Sequence, residues 1–245
     1  MPFNAVFSHI IKKRLPRIER FSDHPIVCQK ENLNYLLKTA NSTVIGEKYD
    51  FKSLDSVLQE GHMVIDLRDK EIFAKAHIPD TINIPMSSSN YLTYMGWFVD
   101  FDAPVFLIIP NDAHIDQIIR EVGLIGVDNL SGYFGEDALM GETATVPQLS
   151  AERVVAHMSK NSISIVDVRG KTEYDEQHIA GASNIPLGYL PRHFDELPHN
   201  QTLVVNCASG YHSQIAVSIL RRQGFEDVYN LDDPLEVWSQ VLKTE

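Results

Sequence analysis

The sequence predicts an α/β fold in two tandem units, each built on a central parallel sheet, and three observations carry that prediction. The 22-residue segment Val64–Pro85 recurs as Ile165–Pro186 at an offset of 101 residues, with eight identical positions. In both copies a short amphipathic stretch precedes a β-branched run that shows no polar alternation. In both, a second apolar run is followed by a helical pattern that reaches a glycine. Strand and helix alternation implies a layered fold with a parallel sheet, and an offset this long means duplicated domains rather than a solenoid.

The elements follow in order. Leu54, Val57 and Leu58, and in the second copy Val154, Val155 and Met158, predict opening helices. The runs Met63–Leu67 and Ile163–Val168 predict strands covered on both faces. The identities Asp66/Asp167, Arg68/Arg169, Lys70/Lys171, His77/His178, Ile78/Ile179, Asn83/Asn184, Ile84/Ile185 and Pro85/Pro186 follow them. Val105–Ile109 and Leu203–Asn206 predict second strands. Helices follow over Ile115–Val122, with Ile115, Ile118, Ile119 and Val122 on one stripe, and over Gln214–Gln223. They end at Gly123 and Gly224. The expected division is 1–48 as an N-terminal extension, 49–140 as a first domain and 149–245 as a second, with the boundary in Gly141–Gln148.

Composition narrows the function classes. The chain has 245 residues, 44% hydrophobic and 22% charged, which excludes a disordered chain. A net charge of −12 argues against a nucleic-acid partner. No stretch approaches the roughly 20 apolar residues that cross a bilayer. The basic cluster Lys12, Lys13, Arg14, Arg17 and Arg20 follows rather than precedes the short apolar start, so a secretory signal is not expected and a solvated helix face is. Two cysteines, Cys28 and Cys207, exclude a disulfide framework and point to a reducing cytoplasm.

Chemistry is expected in one copy only. Cys207-Ala208-Ser209-Gly210-Tyr211-His212-Ser213 stands between a predicted strand and a predicted helix. Ligands of open α/β sheets bind at the carboxyl ends of strands. The first turn of a helix leaves N–H groups unpaired and adds partial positive charge, so a thiol there ionises more readily. Gly210 lets the loop curl into an anion nest, and Ser213 is expected to cap the helix or donate to a bound anion. Tyr211 and His212 are expected to flank the mouth of the site. Asn206, Trp97 and Trp238 are expected to be structural.

With these residues in view, the chain resembles the rhodanese homology family over about residues 49–245. The second copy carries both family signatures. One runs through Asp167-Val168-Arg169, Glu173-Tyr174, His178-Ile179, Gly181-Ala182 and Asn184-Ile185-Pro186. The other is the loop C-x-x-G-x-[R]-S, followed by the Gly224-Phe225…Val228 turn. The resemblance implies two tandem three-layer α/β/α domains, and sulfane-sulfur transfer through a persulfide on Cys207. It also implies a cradle formed by Ala208, Ser209, Gly210, Tyr211, His212 and Ser213, with Asp167 and Arg169 supporting the loop. No cofactor and no metal are implied. The expected partners are small sulfur donors and acceptors: persulfides, thiosulfate, sulfite, thiols and cyanide. A protein sulfur acceptor and a homo-oligomer stay open. The competing class is a non-enzymatic sulfur carrier or interaction module that loads once.

His212 stands where the family usually has arginine, so thiosulfate is expected to be a poorer donor than an organic persulfide. The same substitution argues against a phosphatase or arsenate reductase. In the first copy the Cys207 position is expected near Pro110, in a loop four residues shorter and without a thiol. Asp112 reads as a helix cap and His114 as a surface or capping residue. Tyr94-Met95-Gly96-Trp97, Asp102-Ala103-Pro104 and Gly132-Tyr133-Phe134 are similar to the inactive rhodanese unit of bacterial persulfide dioxygenase fusions. No H-x-H-x-D-H cluster accompanies them, so no iron and no dioxygenase activity are expected.

Overall fold

The computed structural model describes residues 51–110, 115–136, 143–158 and 163–245. The expectations for the N-terminal extension, Cys28, Asp112 and His114 lie outside the described residues. By contact, the described residues form two compact units. One holds those up to Val64 and those within 89–140. The other holds Ile65–Ser88 and those from 143 onward.

The elements alternate as expected: α1 (Phe51–Gln59), β1 (Met63–Asp66), α2 (Lys70–Lys75), β2 (Ile82–Asn83), α3 (Tyr91–Phe98), β3 (Val105–Ile108), α4 (Ile115–Leu124) and β4 (Leu130–Phe134). After them come β5 (Gln148–Leu149), α5 (Ala151–Met158), β6 (Ile163–Asp167), α6 (Lys171–Glu176), β7 (Ser183–Asn184), two short 3₁₀ turns, β8 (Thr202–Asn206), α7 (Tyr211–Arg222), β9 (Val228–Leu231) and α8 (Leu235–Val241). The fold is α/β with parallel sheets. The first sheet has the order β2-β1-β3-β4 and the second β5-β9-β8-β6-β7. Every pairing in the second sheet is parallel, and β8 lies between β6 and β9 with Asp167 opposite Asn206 and Val205 opposite Asn230. Leu203–Asn206 are all buried, as befits a parallel strand covered on both faces. In the second unit Leu149, Val154, Ile165, Ile179, Val204, Leu231, Trp238 and Leu242 form one apolar cluster.

The repeated identities are explained by a repeated hydrogen-bond constellation. Arg169 Nε donates to both Asp167 oxygens at 3.0 Å, its Nη2 to Asp167 Oδ2 at 2.6 Å and to Gln177 O at 2.7 Å. Arg68 repeats this on Asp66 and Ala76 O. Asn184 Nδ2 bridges the carbonyls of Asp167 and Arg169, and Asn83 Nδ2 those of Asp66 and Arg68. His178 stacks on Tyr174 and donates through Nδ1 to its carbonyl, and His77 does the same on Phe73. The backbone of His77 pairs with Ala144 and that of His178 with Glu245, again 101 residues apart.

Three details differ from the expectations. From the second strand of each copy to the start of the last, the structural offset is 98, not 101, and a register shift then makes it 97, with Tyr133 answering Asn230. Val105 N–H donates to Asn129 O as Leu203 N–H donates to Asp227 O, and left-handed Gly126 answers left-handed Gly224. Ile109 therefore occupies the Cys207 position, rather than Pro110. The three-residue difference lies ahead of β3 and β8, not in the loop after them. Gly123 accordingly stays within α4, which runs on to Leu124. Gly224, at φ +87°, ends α7 in a Schellman motif: Phe225 N–H bonds Leu220 O and Gly224 N–H bonds Arg221 O. In α5, Val154 and Ala151 are buried but Val155 and Met158 are 41% and 45% exposed. Val155 lies a hundred degrees round the helix from Val154, and Met158 lies at the helix end, past the buried turn.

His77 gives a stability prediction. Burial, partly opposed by its bond to Phe73 O, pushes its imidazole pKa down from 6.5 to about 4. Between those values the unfolded chain binds the proton and the folded chain does not, so stability falls as pH drops from about 6.5 toward 4. His77 alone is expected to remove up to about 3 kcal/mol over that window. Urea denaturation at pH 7 and pH 4.5 checks this. A loss equally large in His77→Gln would contradict it.

Candidate active site

The site begins with strand order. β8 is an interior strand, so its last residue, Asn206, delivers Cys207 to the middle of the sheet's carboxyl end. The chain then turns through Ala208-Ser209-Gly210 into α7, which packs on β8, β9 and β2. Gly210 takes φ +76° as the residue before the helix. A Cβ there would lie 2.9 Å from Asp232 Oδ1 and 3.2 Å from Lys70 Nζ, so both conformation and space require glycine. Gln214 N–H returns to Gly210 O at 3.2 Å. The amides of Tyr211, His212 and Ser213 lie ahead of it, in the first turn, where a helix offers no i−4 acceptor.

Cys207 is buried, at 1% exposure, and its Sγ lies 3.3 Å from the Ser213 hydroxyl. Ser213 is also fully buried. It does not cap the helix, as the sequence suggested it could: Gly210 holds that position with no side-chain cap, and the Ser213 hydroxyl is instead the neighbour of the sulfur. Ser209 is exposed and Ala208 half-buried, with its carbonyl accepting from Leu235 N–H at 2.8 Å. Tyr211 is fastened by a hydroxyl bond to Pro85 O at 2.8 Å. The His212 ring stands edge-on to Tyr211, 5.9 Å between centroids. Burial pushes the His212 pKa below its ordinary 6.5, against a smaller opposite pull from the Glu173 carboxylate.

Asp167 and Arg169 do not touch the sulfur. Their ion pair is nearly fully buried, and the guanidinium sits 5.4 Å over the Trp238 ring. Trp238 in turn donates its indole N–H to Cys207 O at 3.1 Å. A carboxylate thus fixes a guanidinium, the guanidinium lies on an indole, and the indole holds the carbonyl of the cysteine. Sequence reasoning named Trp238 only as a packing residue. Its partner is 31 positions away, and nothing in local spacing signals such a bond. Lys70, Asp232 and Gln214, which flank the loop at Gly210, were likewise not singled out. Asn206 is fully buried, and neither polar atom of its carboxamide has a partner among the described residues.

The arrangement places a cysteine sulfur at a helix start, where the partial positive charge of the first turn favours an anion. Residues 150–241 match the family described as Rhodanese-like domain. A putative sulfur carrier protein, YrkF of Bacillus subtilis, is 33% identical over 97 residues, 39% of this chain and 52% of that protein. The chain therefore spans about half the length of that relative. The thiosulfate sulfurtransferase GlpE of Shewanella oneidensis is 35% identical over 93 residues, 38% of this chain and 92% of that protein. Among solved structures, the rhodanese-like domain of an Anabaena protein is 29% identical, covers 40% of this chain and 78% of its own, and has a TM-score of 0.38.

Proposed function

This chain belongs to the rhodanese family, and from that premise we propose that it is a sulfurtransferase working through a persulfide on Cys207. The observation that carries the reading is the placement of Cys207, with its sulfur 3.3 Å from the Ser213 hydroxyl at the start of α7. The Cys207 thiolate attacks the outer sulfur of a donor R–S–SH. A new S–S bond forms, the donor's S–S bond breaks, and RS⁻ leaves, giving Cys207–S–SH. An acceptor thiolate, sulfite or cyanide then attacks the terminal sulfur and returns the Cys207 thiolate. The reaction is a ping-pong transfer that needs no added oxidant. Partial positive charge from the helix start and the loop amides favours each sulfur anion. The Asp167–Arg169–Trp238 chain positions Cys207 through its carbonyl. The two copies together form a tandem in which the first, with Ile109 at the cysteine position, transfers no sulfur.

A sulfur-carrier role is the second reading, favoured by the likeness to YrkF. Turnover separates the two. An enzyme releases many sulfurs per chain under steady state, whereas a carrier stops at one.

Donor choice rests on His212. Its lowered pKa leaves it uncharged at pH 7, so the loop offers thiosulfate no fixed cation. An organic persulfide is expected to exceed thiosulfate in kcat/KM. His212→Arg is expected to raise thiosulfate use by about 10- to 150-fold, the value of a charge-assisted bond of about 1.5–3 kcal/mol. In the wild type, thiosulfate use relative to persulfide use rises only toward acid pH, because burial holds the imidazole uncharged to below its ordinary range. Parallel assays of both donors from pH 6 to 8 test this. Thiosulfate being the better donor at pH 7 would show that the loop backbone suffices for oxyanion binding.

A further inference from the structure

Three side chains on one stripe of α7 reach the same short stretch of backbone. The Tyr211 hydroxyl donates to Pro85 O at 2.8 Å, the Ser218 hydroxyl accepts from Asn83 N–H at 3.0 Å, and Arg222 Nη1 donates to Asp80 O. Positions 211, 218 and 222 fall within about 40° of one another round a helix. The helix and the Asp80–Pro85 stretch lie in the same compact unit, although the stretch comes from the first copy of the repeat. Asn83 is fully buried there, while its repeat counterpart Asn184 is partly exposed. The active-site helix thus covers the edge strand β2 of the copy that has no thiol.

The Tyr211 bond stands nearest the sulfur. Tyr211 directly follows Gly210, a residue whose missing side chain leaves the turn few constraints of its own. The same first turn carries the Ser213 hydroxyl, 3.3 Å from Cys207 Sγ, and the amides that have no i−4 acceptor. The tyrosine ring carries its hydroxyl to a carbonyl held on both sides. Ile84 N–H bonds Asp66 O at 2.9 Å and Met86 N–H bonds Leu67 O at 3.0 Å, so Pro85 is pinned to the end of β1. These anchors are backbone groups, which side-chain changes in β1 leave in place.

We propose that Tyr211 is a positioning residue for the Cys207 loop. Its hydroxyl ties the first turn of α7 to the backbone of the first copy, so the copy without a thiol holds the surroundings of the sulfur in the other. The proposal rests on the sulfurtransferase reading for its effect on turnover, and it gives the first copy a part in that turnover. A hydroxyl that touched the donor would act on KM. A hydroxyl that positions the loop acts on kcat, because the geometry at Cys207 and Ser213 enters both half-reactions.

The test uses the full chain as wild type, Tyr211→Phe, Tyr211→para-aminophenylalanine and Ser218→Ala, with an organic persulfide as donor. Tyr211 is partly exposed and the ring is kept, so both changes at this position are expected to fold. Tyr211→Phe is expected to lower kcat per folded molecule about fivefold, the value of one neutral hydrogen bond, with KM held within about twofold. The Gln214 amide, whose bond to Gly210 O closes the first turn, is expected to exchange its hydrogen about fivefold faster in this variant. The para-amino variant keeps a donor at the end of the ring and is expected to restore both quantities. Ser218→Ala breaks the same stripe further along α7 and unpairs the buried Asn83 N–H. It is expected to cost stability while leaving kcat per folded molecule and Gln214 exchange as in wild type.

Unchanged kcat in Tyr211→Phe overturns the proposal, as does a loss confined to KM or a Gln214 exchange rate equal to that of wild type. An equal kcat loss in Ser218→Ala, or no recovery in the para-amino variant, also overturns it. Absence of transfer by the wild type refutes the sulfurtransferase reading, while Gln214 exchange still decides whether the hydroxyl holds the turn.

Discussion

Cys207→Ser is expected to abolish sulfur transfer, by at least about a thousandfold, while leaving the chain folded. A hydroxyl at this position is a poor nucleophile at neutral pH and forms no stable persulfide analogue, so neither half of the cycle remains. The fold survives because the change is close to isosteric, and the loop is held by bonds that serine keeps: Trp238 to the residue-207 carbonyl, Leu235 N–H to Ala208 O and Gln214 N–H to Gly210 O. Mass spectrometry after treatment with a persulfide donor is expected to find an added mass of about 32 Da, one sulfur, on the Cys207 peptide of the wild type and none in the variant. The chain's other thiol, Cys28, provides an internal control. Full transfer by the serine variant, or a sulfur adduct confined to Cys28, would sink the assignment of Cys207.

Asp167→Ala is expected to be the most destabilising single change at the site, at about 3–5 kcal/mol. It leaves the Arg169 guanidinium buried without its carboxylate. That guanidinium sits over Trp238, and Trp238 holds Cys207 O, so transfer per folded molecule is expected to fall as well. Asp66→Ala is the matched control. It breaks the equivalent pair, in which Arg68 Nη2 lies 2.5 Å from Asp66 Oδ2, and should cost similar stability. Its arginine has Ile109, not a cysteine, at the equivalent strand end, so activity per folded molecule should hold. Denaturation midpoints together with activity corrected for folded fraction check both variants. A cost for Asp167→Ala below about 1 kcal/mol would mean that water reaches Arg169 and compensates it. Equal activity losses in the two variants would remove the loop-supporting role from Asp167.

Much of the architecture was legible because its signals are local. Valine and isoleucine runs mark strands buried on both faces. Spacings such as Ile118 and Val122 mark a helix face, and both residues are fully buried. The repeat was visible because Asp and Arg side chains pair with each other, and His and Asn side chains bond the same backbone carbonyls, in each copy at sequence separations of 2 to 17 residues. The register after the second strands was misread. Gly123 and Gly224 look equivalent in sequence, but helix ends are set by where the chain can take a left-handed turn, and that is Gly126.

By itself, then, the sequence determined an alternating α/β chain, a duplicated Asp–Arg–His–Asn scaffold, and a cysteine between a strand and a helix in one copy only. Tertiary structure alone decided what surrounds that cysteine. Ser213 turned inward to the sulfur instead of capping α7, because Gly210 already supplied the turn. Trp238 reached the Cys207 carbonyl from 31 residues away, and Lys70 came to the flank of Gly210 from the first copy of the repeat. These contacts depend on strand order and on which helix faces meet. Those are set by the burial of the whole core, and no local pattern of residue types encodes them.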